Sequence, residues 1–410
     1  MKKPELLAPA GDLEKLKFAV TYGADAVYFG GHSLGLRAKA KNFTSEEMTE
    51  GIKFAHNNGC RVFITVNVLA HNEDLEGIGD YLRSLREMGA DALIISDPGI
   101  LDAAKEFVPD MELHLSTQAN CTNYKSAVFW HRQGVKRIVL ARELSFDEIK
   151  SIRSNTPSSL ELESFIHGAM CMSYSGRCLL SNYMTDRDSN RGACSQPCRW
   201  KYGLVGLVEE SRPDEIFPVF EDDGGTFILN SKDLCLIGHI PELVDAGVES
   251  LKIEGRMKTA YYTGVTVKAY REAIDDFFAD PSAYKSKTDY YLSEVSKCSH
   301  RSFTTGFYLG NEGNRQKYES SSYIRTYDFA AVVLGERKDG LTLIEQRNKF
   351  VCGEDLEIIS PKSHGFVTIK ISEMYNEQMV KVTEAPHPQQ KLWVKLNEDV
   401  PEFSMIRKRY

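Results

Sequence analysis

The amino-acid sequence predicts an α/β protein. An N-terminal (β/α)8 TIM-type barrel carries a cysteine-rich insertion after its seventh strand, and a small β-barrel follows at the C-terminal end. Three observations predict this. Short apolar runs alternate with amphipathic stretches over the first 280 residues, the pattern of parallel strands joined by right-handed crossover helices. The phrases YGADAVYFG, MGADALIIS and AGVESLKIEG repeat one unit, a helix that ends at glycine and leads into a buried strand. From Ala330 the helical patterns stop, and short strand-like runs follow one another with turns between them.

Taken in order, strand Glu5–Ala8 precedes a helix from Leu13 to Tyr22, and Ala26–Phe29 precedes Ser45–Asn57. Val62–Val66 leads to Leu75–Met88, Ala92–Ser96 to Gly99–Phe107, and Leu113–Ser116 to Tyr124–Gln133. Arg137–Ala141 leads to Phe146–Arg153. Leu160–Ile166 reads as the seventh strand and Ser250–Ile253 as the eighth, before a long helix from Ala260 to Phe278. Eight such units make a closed barrel. The barrel domain is expected over 1–285, with the insertion at about 168–247. Residues 286–329 read as a polar connecting segment, and 330–410 as the β-barrel domain. An insertion at the end of a barrel strand lands on the C-terminal face, where barrel enzymes build their active sites. Within it, Tyr202–Glu209 and Thr226–Leu229 suggest a small β excursion.

Composition narrows the class. The chain has 410 residues, 42% apolar and 26% charged, values of a globular protein larger than one ordinary domain. MKKPELLAPAGD enters a strand at once, without the apolar stretch of a signal peptide, and no run of about 18 apolar residues is present. Nine cysteines, an odd number gathered largely in one region, suit a reducing compartment, so a cytoplasmic protein is expected. The net charge of −8 argues against non-specific affinity for nucleic acid and leaves room for a local basic surface.

The segment from Glu161 to Tyr202 holds Cys171, Cys178, Cys194 and Cys198, and Cys235 follows in NSKDLC. Small and polar turn residues surround these thiols, so the backbone can fold closely round an inorganic centre. Thiolates are soft ligands for zinc or iron–sulfur clusters, and four suffice for either. The absence of a Cys-x2-Cys pair counts against the common zinc-ribbon patterns. Five thiols compete for four places: Cys171, Cys178, Cys194 and Cys235 are the expected ligands, with Cys198 as the alternate. Arg187, Arg191, Arg199 and Lys201 share the segment, either as phosphate contacts or as a solvated loop balanced by Asp186 and Asp188.

Polar residues also fall at the expected strand ends: Asn67, Asp97, Gln118, Arg142, Glu143, Glu163, His167, Glu254 and Arg256. Barrel geometry would converge them on one pocket. Glu163, His167, Arg142 and Arg256 are the expected catalytic set, with both arginines suited to fork a carboxylate. Gly31-His32-Ser33-Leu34-Gly35 fits the G-x-S-x-G nucleophile pattern, but it follows only the second strand and reads better as a strand-end loop. No H-E-x-x-H helix is present.

The stretch ESFIHGAMCMSYSGRCLLS from Glu163 to Ser181 resembles the signature of the peptidase U32 family, the collagenase-like proteases. ELLAPAG, ADAVYFGG, NRGACSQPCRWKY, NSKDLC and LKIEGRMK extend the resemblance over essentially the whole chain. The wording is nearest a branch that forms 5-hydroxyuridine at the wobble uridine of tRNA. That resemblance implies prephenate as the hydroxyl donor, a [4Fe–4S] cluster on the cysteines, and tRNA as partner. It also implies a barrel followed by a C-terminal β-barrel. Other branches of the family hydroxylate ribosomal RNA or act in quinone biosynthesis. A peptidase would need a Cys nucleophile with His167 or His114 as its base.

Overall fold

The computed structural model describes residues 2–31, 43–171, 173–187, 189–200, 231–310, 323–396 and 400–410. Between 207 and 226 it describes the backbone of short strands only, and the side chains of Arg191 and Arg199 are not included. Seven strands, β1 (Glu5–Pro9), β2 (Ala26–Phe29), β3 (Arg61–Val66), β4 (Ala92–Ile95), β5 (Glu112–Leu115), β6 (Arg137–Val139) and β7 (Glu161–Ala169), pair in parallel in sequence order. Strand Ser250–Ile253 pairs in parallel with both β7 and β1 and closes the barrel. The predicted barrel is borne out.

Alternation along the strands divides the apolar residues into two sets. Leu7, Ala26, Tyr28, Phe63, Ala92 and Ile94 fill the barrel interior. Their neighbours Leu6, Val27, Val62, Ile64 and Leu93 join the core shared with the surrounding helices. The helices begin where the sequence supplies caps. Asp12 accepts from the Lys15 N–H at 2.9 Å, and Ser145 and Glu148 form a reciprocal capping box. Two glycines admit backbone where no side chain fits. A Cβ on Gly11 would lie 1.9 Å from the Arg256 carbonyl oxygen, and Gly168 (φ +112°) lies against Glu254.

The insertion leaves β7 through helix Leu180–Thr185 and two short 3-10 turns. It returns as Asp233–Cys235, which runs antiparallel to the end of β7 and pairs with Phe303–Thr304. The expected β excursion is present as Leu207–Glu209 against Arg212–Phe217, with Glu221–Asp222 against Gly225–Thr226. Residues 202–206 and 227–229 of that expectation lie outside the described residues, as do His32–Gly35 of the G-x-S-x-G run. The stretch read as a connector contains helix Thr288–Ser296, whose Tyr291 and Val295 join the barrel core.

Beyond it stands a curled antiparallel sheet of eight strands with its own core of Ala330, Val333, Ile344, Leu356, Met374 and Ile406. The final strand, Met405–Arg409, lies inside the sheet between Tyr327–Lys338 and Asp355–Ile359. The sheet packs on the barrel. Val332, Ile359 and Met405 join the barrel core, and the Tyr22 hydroxyl lies 2.8 Å from the Ile359 carbonyl oxygen. Arg407, fully buried, pairs with Glu294 at 2.9 Å and Glu357 at 2.6 Å.

Candidate active site

A cavity of about 530 Å³ opens over the C-terminal ends of the barrel strands. Asn67, Ser116, Gln118 and Arg142 line it from the loops after β3, β5 and β6, and Arg256 from the loop after the closing strand. Tyr28, Phe165 and Lys252 lie deeper. The other wall is the insertion, which contributes Cys171, Cys178, Cys194 and Cys198 together with Tyr174 and Gly176. Asn120 ties the two walls by donating to the Ser175 carbonyl oxygen at 2.7 Å and accepting from Arg177 Nε at 2.7 Å.

Arg142 and Arg256 are brought together as expected. Arg142 stacks on Phe165 with its guanidinium carbon 4.0 Å from the ring centre. Its Nη1 donates to the Ala169 carbonyl oxygen at 2.8 Å, while its buried Nε has no partner. Arg256 Nη1 donates to Thr65 Oγ1 at 3.0 Å. Gln118, Asn67 and Glu254 also line the cavity.

Other expected residues stand elsewhere. Glu163 is fully buried near the start of β7 and does not line the cavity. It accepts from Lys252 Nζ at 2.8 Å, Ser250 Oγ at 3.0 Å and Arg137 Nη1 at 3.3 Å. Burial raises the Glu163 carboxyl, but Lys252 and Arg137 outweigh it and hold the group below the ordinary carboxylate range. His167 is also displaced. Alternation from Glu163 through Phe165 points it inward, but a register shift between Lys252 and Ile253 interrupts the pairing with β7. The imidazole instead packs among Tyr262, Tyr270 and Phe303, and burial pushes it down to about 3. Asp97 caps helix Pro98–Phe107 by accepting from the Gly99 N–H at 2.8 Å, and Glu143 does not line the cavity.

The thiols divide in the same way. Cys235 is buried outside the cavity, 3.9 Å from the Tyr270 hydroxyl, and burial pushes its thiol up to about 11. Cys198, the alternate, lines the cavity with the other three. None of the four is in a disulfide, and thiolates in that number are the donor set of an iron–sulfur cluster. Among the described residues no three cysteine, histidine or acidic side chains are grouped as metal ligands, so the fit lies in the donors and their shared wall. No histidine among the described residues lines the cavity; His114 is buried and bonds Glu112 at 2.7 Å. Neither proposed base of a cysteine peptidase is therefore beside these thiols.

Arg187 donates to the Ala193 carbonyl oxygen at 3.0 Å, bracing the insertion. The side chains of Arg191 and Arg199, and all of Lys201, lie outside the described residues. Two features escaped the sequence. Lys252 lies inward in a strand, one place before the register shift, and only its alternation with Ser250 signals that face. Tyr183 (89% exposed), Tyr174 and Trp200 are exposed aromatic side chains on the insertion.

A closed parallel barrel with a polar, thiol-bearing cavity over its C-terminal strand ends defines an enzyme of the barrel class. The chain belongs to peptidase family U32, whose model matches residues 11–318, and the model of the family's C-terminal domain matches residues 325–407. It is 42% identical to tRNA hydroxylation protein P1 of Bacillus subtilis (strain 168), over 99% of this chain and 95% of the relative. It is 38% identical to tRNA hydroxylation protein P of Escherichia coli (strain K12), over 98% and 95%. A further relative is the 23S rRNA 5-hydroxycytidine C2501 synthase of Escherichia coli (strain K12), 35% identical over 78% of this chain and 47% of that protein.

Proposed function

We propose that the protein hydroxylates RNA, converting the wobble uridine of tRNA to 5-hydroxyuridine with prephenate as hydroxyl donor. The observation that carries the reading is one cavity in which four insertion thiols face Arg142 and Arg256. Relatives that share nearly the whole chain and are named for tRNA hydroxylation support the substrate class. A tRNA substrate fits a protein of the cytoplasm.

Cys171, Cys178, Cys194 and Cys198 would hold a [4Fe–4S] cluster, which when bound supplies redox-active iron at the cavity wall. The chain's own residues handle charge and position. Prephenate carries two carboxylates, and Arg142 and Arg256 offer two guanidinium groups in the same cavity. The carboxylates screened by these cations would be fixed within a low-dielectric pocket, which restrains the donor's orientation. The target base must leave its stack to be reached, and a cavity of about 530 Å³ accommodates an extruded base. Exposed Tyr174, Tyr183 and Trp200 provide stacking faces for the bases around it. Arg191, Arg199 and Lys201 remain candidates for phosphate contacts, which would make binding weaken with salt.

The test is nucleoside mass spectrometry of tRNA from cells lacking the protein, grown with and without oxygen so that a redundant route is exposed. Loss of 5-hydroxyuridine derivatives, restored by the wild-type gene, is expected. Unchanged tRNA in every condition would overturn the reading.

A further inference from the structure

The wall of the cavity on the β3–β5 side carries a buried polar atom that no protein group satisfies. Asn67 is 8% exposed and lines the cavity just beyond β3. Its Nδ2 donates to Ser116 Oγ at 3.1 Å, and Ser96 Oγ donates to its main-chain oxygen at 3.0 Å. The amide is thus anchored through its donor and its backbone, while its buried Oδ1 has no partner in the protein. On the same side, the Oε1 of Gln118 is likewise unpartnered. Buried acceptors left unpaired are costly, and a protein retains them where a ligand completes the bond. Of the guanidinium groups, Arg142 follows β6, and Arg256 reaches the β3 side by donating to Thr65 Oγ1 at 3.0 Å. The cavity therefore offers both cations for an anionic ligand and a fixed neutral acceptor for a ligand that donates.

We propose that Asn67 reads the target base, its Oδ1 accepting the N3–H of uracil. This rests on the RNA-hydroxylation reading and adds the determinant of base choice. Uracil carries a hydrogen on N3; cytosine carries a lone pair there, which would face the Asn67 oxygen without a bond. A site built to bond one N–H rejects the base that lacks it, because the acceptor then stays buried and unpaired. Hydroxylation at C5 leaves N3–H unchanged, so Asn67 acts on selection and not on the reacting bond. Asn67 is a specificity residue.

The test uses three anticodon stem–loop RNAs, identical except for uridine, cytidine or 3-methyluridine at the wobble position, binding to the full-length protein by fluorescence anisotropy. The wild type is expected to bind the uridine RNA roughly tenfold more tightly than the other two, the effect of one buried hydrogen bond. Asn67→Ala is expected to bring all three within about twofold, the cytidine RNA keeping its wild-type affinity. Should Asn67→Ala fail to fold, as judged by its melting, Asn67→Ser carries the same expectation. A folded variant that keeps the full uridine preference, or a wild type that has none, overturns the assignment and leaves RNA hydroxylation standing. Absence of binding to any of the three RNAs overturns the RNA reading itself.

Discussion

At the N-terminal end of the barrel, Arg137 bridges Glu5 at 2.5 Å, Glu161 at 2.7 Å and Glu163 at 3.3 Å. Lys252 and Ser250 complete the bonding of Glu163, and Arg61 reaches Glu112 at 3.0 Å. Among the buried side-chain atoms of this network, His114 Nδ1 alone lacks a partner. At the C-terminal end, Asn67, Gln118 and Arg142 each keep a buried polar atom unpaired in the same cavity as four thiols. Both ends are rich in polar groups, yet one satisfies them internally and the other holds bonding capacity for a ligand. Burial and charge therefore do not distinguish these two ends; incomplete pairing does.

The sharpest way to break that contrast is to exchange thiols across it. Cys171→Ala is expected to abolish tRNA modification and to strip iron and the visible absorbance from the purified protein. Cys235→Ala, outside the cavity, should retain iron and lose only about 1 kcal/mol of stability in urea unfolding. If Cys235→Ala lost iron while Cys198→Ala kept it, the ligand set would have to be redrawn.

The internally paired end should respond through stability. Glu163→Ala leaves Lys252 and Arg137 buried with less compensation, and about 3–5 kcal/mol of folding free energy should go, read by denaturant titration. A loss below about 1 kcal/mol would show that the network contributes little. At the open end, Arg142→Lys keeps the charge but loses the planar fork. It should raise the prephenate KM by roughly ten- to a hundredfold with the melting temperature unchanged. An unaltered KM would remove Arg142 from the donor's site.

At neutral pH the smallest expected effect is that of His167, which appears only as a slope on acidification. His167 is held neutral by burial, its folded value about 3 against 6.5 for an exposed imidazole. The unfolded chain takes up the proton first, so this contribution is complete above about 6.5 and is lost as pH falls from there toward 3. His167→Gln should flatten stability over that window by up to about 1.4 kcal/mol per pH unit. Identical slopes in both proteins would place the acid sensitivity elsewhere.

Much of the fold was legible because apolar runs such as Val62–Val66 and Ala92–Ile95 are buried on both faces and bounded by glycine or polar turns. The arginines of the site were legible because residues just beyond parallel strands reach the barrel mouth. Height within the barrel was not. Alternation gives the face of Glu163 but not that it stands near the start of a nine-residue strand, two inward positions below the mouth. The outward turn of His167 depends on a register shift against a strand more than 80 residues away in sequence, which no local pattern encodes. Cys235 reads as one more thiol until its strand is seen to run antiparallel behind β7. The final strand was hidden by its charges. Met405–Arg409 carries three basic residues in five, yet Arg407 is wholly buried because Glu294 and Glu357, from a helix and a strand, meet it there.

The most direct test of the central claim compares the two histories of the expected catalytic set in one experiment. Cells lacking the protein are complemented with Arg142→Ala, which alters the cavity, or with His167→Gln, which lies outside it, both confirmed as folded by melting. Nucleoside mass spectrometry of their tRNA should show 5-hydroxyuridine derivatives absent with Arg142→Ala and present with His167→Gln. Full modification with Arg142→Ala and none with His167→Gln would contradict the account and move the chemistry from the barrel mouth to the buried face of β7.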